Sequence, residues 1–206
     1  MPKLTAIRKR ALDEMMKEAI FEAAVAVLAE HGVEGMTMDR VAVAADVAKG
    51  SLYHYYSGKQ ALLEFIYAKM IDPIFQNLEE IVASEQPATE KLETHLAKLL
   101  EHVAQHAQVF RLLFEDDTAQ GLLQSSERRT REAGSRRLAE VFRQGIAEGV
   151  FRPADPLLLT HMFLGLCRGV FDSRPELERR EQREMVQRLI MGTFLNGIAT
   201  DQRHAG

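Results

Sequence analysis

One segment near the start of the chain decides the expected fold: Glu22 to Leu63, reading EAAVAVLAEHGVEGMTMDRVAVAADVAKGSLYHYYSGKQALL. Apolar residues recur every three or four positions before Gly32, so a first helix is predicted over about 8–30, ending at that glycine. Thr37 has the chemistry of a helix N-cap and predicts a second, short helix. A third helix is predicted over 49–55, and a fourth begins at Lys59.

The second and third helices are separated by a tight turn at residues 45–47, which predicts a helix-turn-helix. In such a unit the second helix enters the DNA major groove while the preceding helix crosses the backbone. A lysine can bind phosphate or a guanine edge, phenol and imidazole groups can donate to phosphate oxygens, and a glycine lets the backbone approach closely. The candidate contacts on the third helix are Lys49, Gly50, Ser51, Tyr53, His54 and Tyr55, and Lys59 adds a cation on the fourth.

The quoted segment resembles the DNA-binding head of the TetR family of bacterial regulators. The glycine, lysine, Leu-Tyr-His-Tyr and Gly-Lys elements follow in the family's order without gaps, over about a fifth of the chain. The resemblance implies a homodimeric transcription regulator, usually a repressor, that binds a near-palindromic double-stranded operator and leaves it when a small-molecule effector binds. By position, it implies that Thr37 contacts phosphate, that Lys49, Gly50 and Ser51 face base edges, that Tyr53, His54 and Tyr55 grip bases or phosphates, that Lys59 holds the backbone, and that Leu52 and Tyr56 pack inward.

Three positions depart from the family pattern. Asp46 replaces the turn glycine, and aspartate tolerates a left-handed backbone, so we expect the turn to persist. Ala48 replaces the usual serine, which removes a helix cap worth about 1 kcal/mol and a phosphate contact. Tyr56 carries a hydroxyl into a core position, where it is expected to find a hydrogen-bond partner.

Composition limits the class of protein. Apolar residues make up 46% of the 206 residues and charged residues 27%, which is typical of a soluble globular chain. The single cysteine excludes an internal disulfide framework, and no apolar run reaches the ~20 residues of a membrane span, so a cytoplasmic protein with no membrane partner is expected. The net charge of −4 argues against indiscriminate nucleic-acid coating. The basic start, Lys3 to Arg10, is either a solvated terminus or a phosphate-contacting arm.

The rest of the chain keeps the helical period, so the predicted fold is all-α. The expected organisation is a three-helix helix-turn-helix head over residues 1–58 and an effector-binding and dimerisation body over 59–206, joined by the long fourth helix. Pro73 is expected to kink or restart that helix. Further helices are predicted at roughly 89–106, 108–115, 120–148, 156–172 and 176–199.

Side chains on the later helices are candidates for an effector cavity, because ligand pockets are mostly apolar; ordinary core packing is the alternative for each. The candidates are His102, His106, Phe110, Phe114, Met162, Phe163, Cys167 and Phe171. His95, His102 and His106 lie in one sector of the fifth helix, at the edge of its apolar stripe, as cavity lining or as a partly exposed rim. The spacing of the last two would permit a metal, but no carboxylate or cysteine is placed to complete the site, so no metal or cofactor is predicted.

The last two helices predict a subunit interface. Gly165 and Gly169 lie one turn apart, where missing side chains allow close helix contact, and pairing with a second copy would form a four-helix interface. Burial within one chain is the alternative. The interface residues predicted are Leu159, Met162, Gly165, Leu166, Gly169, Ile190 and Phe194.

Two other function classes are weighed against a regulator. A helical di-iron enzyme needs Glu-x-x-His pairs, and none of the seven histidines has a glutamate three residues before it. The His-Glu-x-x-His, Gly-x-Ser-x-Gly and phosphate-loop motifs are also absent, so no enzyme is predicted. The departures at Asp46 and Ala48 leave open a small-molecule or partner-protein binder that has lost operator recognition.

Overall fold

The structure, a computed structural model, describes residues 4–173 and 176–198. These residues are almost entirely helical, which confirms the predicted all-α fold. No helix among them combines the length and apolar character needed to cross a membrane. The helices are α1 (Leu4–Gly35), α2 (Met38–Ala44), α3 (Lys49–Tyr55), α4 (Lys59–Ala83), α5 (Ala88–Gln105), α6 (Ala107–Glu115), α7 (Asp117–Ala147), α8 (Pro156–Asp172) and α9 (Arg180–Ile198).

Of two expectations about helix ends, one is confirmed and one needs correction. Gly32 leaves the helical conformation, with φ of +67°, so the first helix ends there as predicted, and the short turn up to Gly35 that completes α1 lies beyond this kink. Glycine adopts this left-handed φ without a Cβ clash, so the chain bends there and resumes. Pro73 does not restart α4, which is assigned continuously from Lys59 to Ala83.

The chain divides into two compact units. The first unit contains the described residues up to Ile71 together with Ala107–Glu127. Its core combines all of its helices, because α1, α2, α3, α4, α6 and the start of α7 each contribute fully buried side chains or side chains close to fully buried. The predicted head therefore has a larger structural base than residues 1–58, although the functional division at that residue stays a prediction. Buried members of this core include Ile20, Leu28, Val41, Leu52, Leu62, Leu63, Ile66 and Leu113.

The second unit contains Asp72–His106 and the described residues from Arg128 onward. Aromatic rings on three helices form the centre of its core. The Phe142 ring centroid lies 5.7 Å from that of Phe194 and 6.2 Å from that of Phe163, in edge-to-face arrangements that favour aromatic packing. Leu92, Leu96 and Leu100 add the apolar stripe of α5.

The end of α7 is shaped around Phe151. The backbone N–H groups of Val150 and Phe151 both donate to the Gly145 carbonyl, at 3.0 and 3.1 Å, and Gly149 adopts a φ of +73°. This return places the Phe151 ring against Gly145, where a Cβ would overlap the ring. The glycine at position 145 therefore makes the room that Phe151 occupies.

Candidate nucleic-acid interface

The start of α2 is capped as predicted. Thr37 has an extended backbone, and its Oγ1 accepts from the Arg40 N–H at 3.3 Å. The threonine hydroxyl proton is not used in this bond, so it can be donated outward. Its predicted phosphate contact is compatible with this geometry and stays a prediction.

The turn between α2 and α3 is built around Asp46. Its φ is +53°, and among the described residues it is the only non-glycine residue with a positive φ. The Val47 N–H donates to the Ala42 carbonyl at 3.0 Å across the turn. Aspartate tolerates the left-handed region, so the expectation that the turn persists without glycine is confirmed.

The N-cap of α3 is Ala48, and it makes no side-chain capping bond. This confirms the loss expected from the missing serine hydroxyl. The N–H groups of Ser51 and Leu52 reach back to the Ala48 carbonyl at 2.9 and 3.2 Å, which closes the first turn through the backbone alone.

The two faces of α3 differ in exposure. Leu52 is fully buried and Tyr56, its C-cap, is 8% exposed, so the expected inward pair is confirmed. The candidate contacts on the other face are open to solvent, with Tyr53 45% exposed. We call the exposed residues of α2, the turn, α3 and the start of α4 the reading surface. Its exposed candidates are Lys49, Gly50, Ser51, Tyr53 and His54.

The cations of the reading surface have acceptors within the protein. Lys49 Nζ lies 2.6 Å from Asp39 Oδ1, and this hydrogen bond raises the pKa of the lysine. Lys59 Nζ donates to the Glu34 carbonyl at 3.3 Å. Arg40 Nη1 donates to the Gly35 carbonyl at 2.6 Å. The lysines predicted from the sequence are therefore positioned by α2 and by the end of α1.

Tyr55 differs from the other candidates on α3, because it is half-buried. Its hydroxyl donates to the Asp13 carboxylate on α1, and this bond raises the pKa of the phenol. Asp13 also lies 2.9 Å from Lys17 Nζ, and the bonds from Lys17 and Tyr55 lower the pKa of the carboxyl. Sequence reasoning missed Asp13; its four-residue spacing from Lys17 was the available signal.

Tyr56 brings its hydroxyl into the core without a partner. Its ring lies 4.9 Å from that of Phe65, and its OH is buried with no hydrogen bond. Burial raises the pKa of this phenol to about 12, so the group stays protonated. The expectation that the hydroxyl finds a partner is therefore wrong, because the side chain packs within the apolar core of the first unit.

The candidate cavity residues fall in both units. Phe110 and Phe114 pack against the core of the first unit, with stacked rings 5.7 Å apart. Phe163 and Cys167 belong to the core of the second, and half-buried Phe171 packs against it. Met162 is 52% exposed. Burial raises the pKa of the Cys167 thiol to about 12, which keeps it unreactive. Their role as an effector pocket stays a prediction.

His95 and His102 of α5, and His106 at its C-cap, do not share one environment. His95 is 5% exposed rather than at a rim, and burial lowers its pKa to about 4. His102 and His106 are half-buried, with ring centroids 4.9 Å apart. Burial first, and then the neighbouring His102, lower the pKa of His106. Among the described residues, no group of three potential metal ligands occurs.

The candidate interface residues on α8 and α9 also divide. Leu159, Ile190 and Phe194 lie in the core of the second unit, which agrees with the alternative of burial within one chain. Leu166 is half-buried. Gly165 and Gly169 are exposed, with open space where a side chain would project. Large apolar side chains are exposed beside them on the same two helices. We call this set the α8–α9 surface: Leu157, Leu158, Met162, Met185 and Leu189.

Comparison with known proteins decides the family. Residues 20–66 match the family described as bacterial regulatory proteins, tetR family, and residues 85–172 match the tetracyclin repressor-like C-terminal domain. The chain is 30% identical over 143 residues to the HTH-type transcriptional repressor SCO4008 of Streptomyces coelicolor, covering 69% of this chain and 71% of that protein. The chain belongs to the TetR family. It is a transcriptional regulator rather than an enzyme.

Other members of the TetR family align over most of this chain. It is 29% identical over 151 residues to the HTH-type transcriptional repressor KstR2 of Mycobacterium tuberculosis, covering 70% of this chain and 74% of that one. A solved structure of that ketosteroid regulator superposes with a TM-score of 0.69 and 24% identity over 90% of this chain and 95% of the other. The structure of a SmeT–triclosan complex superposes with a TM-score of 0.75 and 20% identity, over 91% of this chain and 93% of the other. These superpositions show the shared fold.

Proposed function

We propose that this TetR-family chain is a ligand-responsive repressor that binds a near-palindromic operator as a homodimer and is released by a small-molecule effector. The observation that carries the proposal is the two-sided α3, whose Leu52 is anchored in the core while Lys49, Ser51 and Tyr53 face solvent. A helix presented in this way can enter the major groove with its polar side chains against base edges. Such a protein acts where the DNA is, in the cytoplasm.

The homodimer is supported by the α8–α9 surface. Exposed Met162 and Leu189 are large apolar side chains, and exposed glycines at 165 and 169 permit close backbone approach. A twofold axis through such a surface forms a self-complementary contact. Two heads then read two half-sites, about one helical turn or a multiple of it apart, each turn being roughly 34 to 36 Å.

Release by an effector requires coupling between the body and the head. Helix α4 supplies residues 59–71 to the first unit and 72–83 to the second, so a shift of its second part is transmitted along one helix. Pro73, beside that junction, has no N–H to donate within the helix and so weakens it locally. An effector that prefers one arrangement of α4 lowers operator affinity by its differential binding energy, commonly about 1 to 3 kcal/mol.

Selection of bound duplexes from a random pool by the full chain tests the proposal. We expect an enriched near-palindrome, bound much more tightly than random DNA, with affinity falling steeply as salt rises. Lys49→Ala and Tyr53→Ala are expected to weaken binding to the enriched duplex. Arg136→Ala, at an exposed position of α7, is the matched control and should leave binding unchanged. An unenriched pool would instead support a small-molecule or partner-protein binder without operator recognition.

A further inference from the structure

The cations of the first unit are not equally available to a polyanion. On the reading surface, Arg40, Lys49 and Lys59 each have an acceptor within the protein. Lys49 is paired with a carboxylate, so its transfer to a phosphate gives up an ion pair. Arg40 and Lys59 each donate one N–H to a neutral carbonyl, which holds the side chain in place but leaves its charge and its other donors available.

The second turn of α1 has the opposite character. Arg8, Lys9 and Arg10 are exposed, and none of their side chains makes a hydrogen bond or close ion pair with any described residue. No acid lies between residues 4 and 12. Met16 is the first side chain of α1 to pack against the core, so the end of this turn lies about 9 Å before the packed part of the helix, at 1.5 Å per residue. We call residues 8–10 the basic turn.

A hydrogen bond fixes which side of α1 faces the recognition helix. Asp13 of α1 accepts from the Tyr55 hydroxyl of α3, and Met16 packs against the core of the same unit. Lys9 lies four residues before Asp13, hence on the same face of the helix, and its charge acts on that carboxylate. Lys9 therefore continues, along α1, the face that meets α3, and Arg8 and Arg10 flank it at about 100° on either side.

We propose that the basic turn is a phosphate-binding surface that grips the DNA backbone beside the groove read by α3. The inference rests on the proposed function, because α3 must face the duplex for Lys9 to lie near it. Free, solvated cations bind phosphate by releasing condensed counterions and give up no internal partner. The basic turn supplies affinity that does not depend on base sequence, while α3 supplies the sequence preference.

A membrane surface is the other polyanion that a basic helix could bind. Exposed Ile7 and Met15 lie eight residues apart and share one face of α1. Lys9 and Asp13 lie on roughly the opposite side of the helix, because at about 100° per residue each is rotated by about half a turn from Ile7. Lys9 thus faces the DNA-reading side rather than the lipid that these apolar side chains would enter, which favours the duplex.

The test is the salt dependence of duplex binding by the full chain and by the triple variant Arg8→Gln, Lys9→Gln, Arg10→Gln. Each phosphate contact contributes about 0.9 to the slope of log affinity against log salt, so the slope should fall by about 2 to 3 per bound head. The fall should be equal on the selected duplex and on random DNA, which leaves their affinity ratio unchanged. A matched triple, Arg128→Gln, Arg136→Gln, Arg143→Gln, removes the same charge from exposed positions on α7 and should leave the slope unchanged.

Three outcomes would overturn the inference: an unchanged slope, a changed set of selected sequences, or wild-type binding to phosphatidylglycerol vesicles that the triple variant loses. Thermal melting controls for folding, and all three side chains are exposed. If the wild-type chain selects no sequence, the proposed function fails. If it selects one and the triple variant keeps the full slope, phosphate binding by the basic turn is excluded while the proposed function stands.

Discussion

Asp39 Oδ1 lies 2.6 Å from Lys49 Nζ, which joins the exposed side of α2 to the first residue of α3. The side chains stay 66% and 57% exposed, respectively, so the pair stands on the surface rather than in the core. The Asp39 carboxylate partly neutralises the charge of Lys49, the lysine that the sequence predicts to contact DNA. The reading surface is therefore less attractive to phosphate than its lysines alone suggest.

Replacing Asp39 with asparagine should release Lys49 without unfolding the head, because exposed ion pairs stabilise little. We expect tighter binding of random duplexes at low salt, and a slope of log affinity against log salt steeper by up to about 1 per head. Lys49→Gln should shift both quantities in the opposite direction. Equal affinity losses for Asp39→Asn on every duplex would show instead that the pair only positions α3.

Tyr56→Phe should stabilise the protein. The change removes a buried hydroxyl that has no hydrogen-bond partner and keeps the ring beside Phe65. We expect the free energy of unfolding to rise by about 1 to 2 kcal/mol, which denaturant titration measures. Tyr53→Phe, at an exposed position, should leave it unchanged, and a loss of stability in Tyr56→Phe would contradict the structure.

His95 should make the protein sensitive to acid. Burial lowers its pKa in the folded chain from 6.5 to about 4, so the unfolded state binds the proton more readily. This contribution to stability is complete above pH 6.5 and is lost as pH falls from 6.5 to about 4, by roughly 3 kcal/mol in total. His95→Leu should flatten the stability curve over that range, whereas His161→Leu, at an exposed position, should leave its shape unchanged.

Gly145→Ala should destabilise the second unit. A Cβ there would overlap the Phe151 ring and lie 3.0 Å from the Ala88 Cβ. Overpacking of this kind costs about 1 to 3 kcal/mol, which thermal melting would detect. Gly121→Ala, in the same helix and with open space around it, should stabilise by about 0.5 to 1 kcal/mol, so the two substitutions are predicted to differ in sign.

Leu189→Glu should break the proposed homodimer. The side chain is 63% exposed on α9, so a charge is tolerated in the isolated chain but not in an apolar contact between two copies. Sedimentation velocity should show a monomer where the wild type is a dimer. Leu12→Glu makes the same change at a position that is 67% exposed on α1 and should leave the dimer intact.

The helices of the head could be predicted closely because their signals are local. Thr37 and Asp46 act through their own backbone, so a cap and a left-handed turn are visible in the residue type alone. The same is true of the inward position of Leu52, which follows from helical spacing. The place of His95 could not be found in this way, since burial depends on what packs against the helix.

The sequence by itself determined the all-α fold, the helix-turn-helix and the family, because caps, turns and apolar spacing are properties of neighbouring residues. Only the tertiary structure decided which charges are free. It joined Lys49 to Asp39, bonded Tyr55 to Asp13 and gave the basic turn no partner among the residues that the structure describes. Pairings of this kind join residues 10 to 42 positions apart, and a contact across such separations depends on how the helices pack rather than on any local pattern.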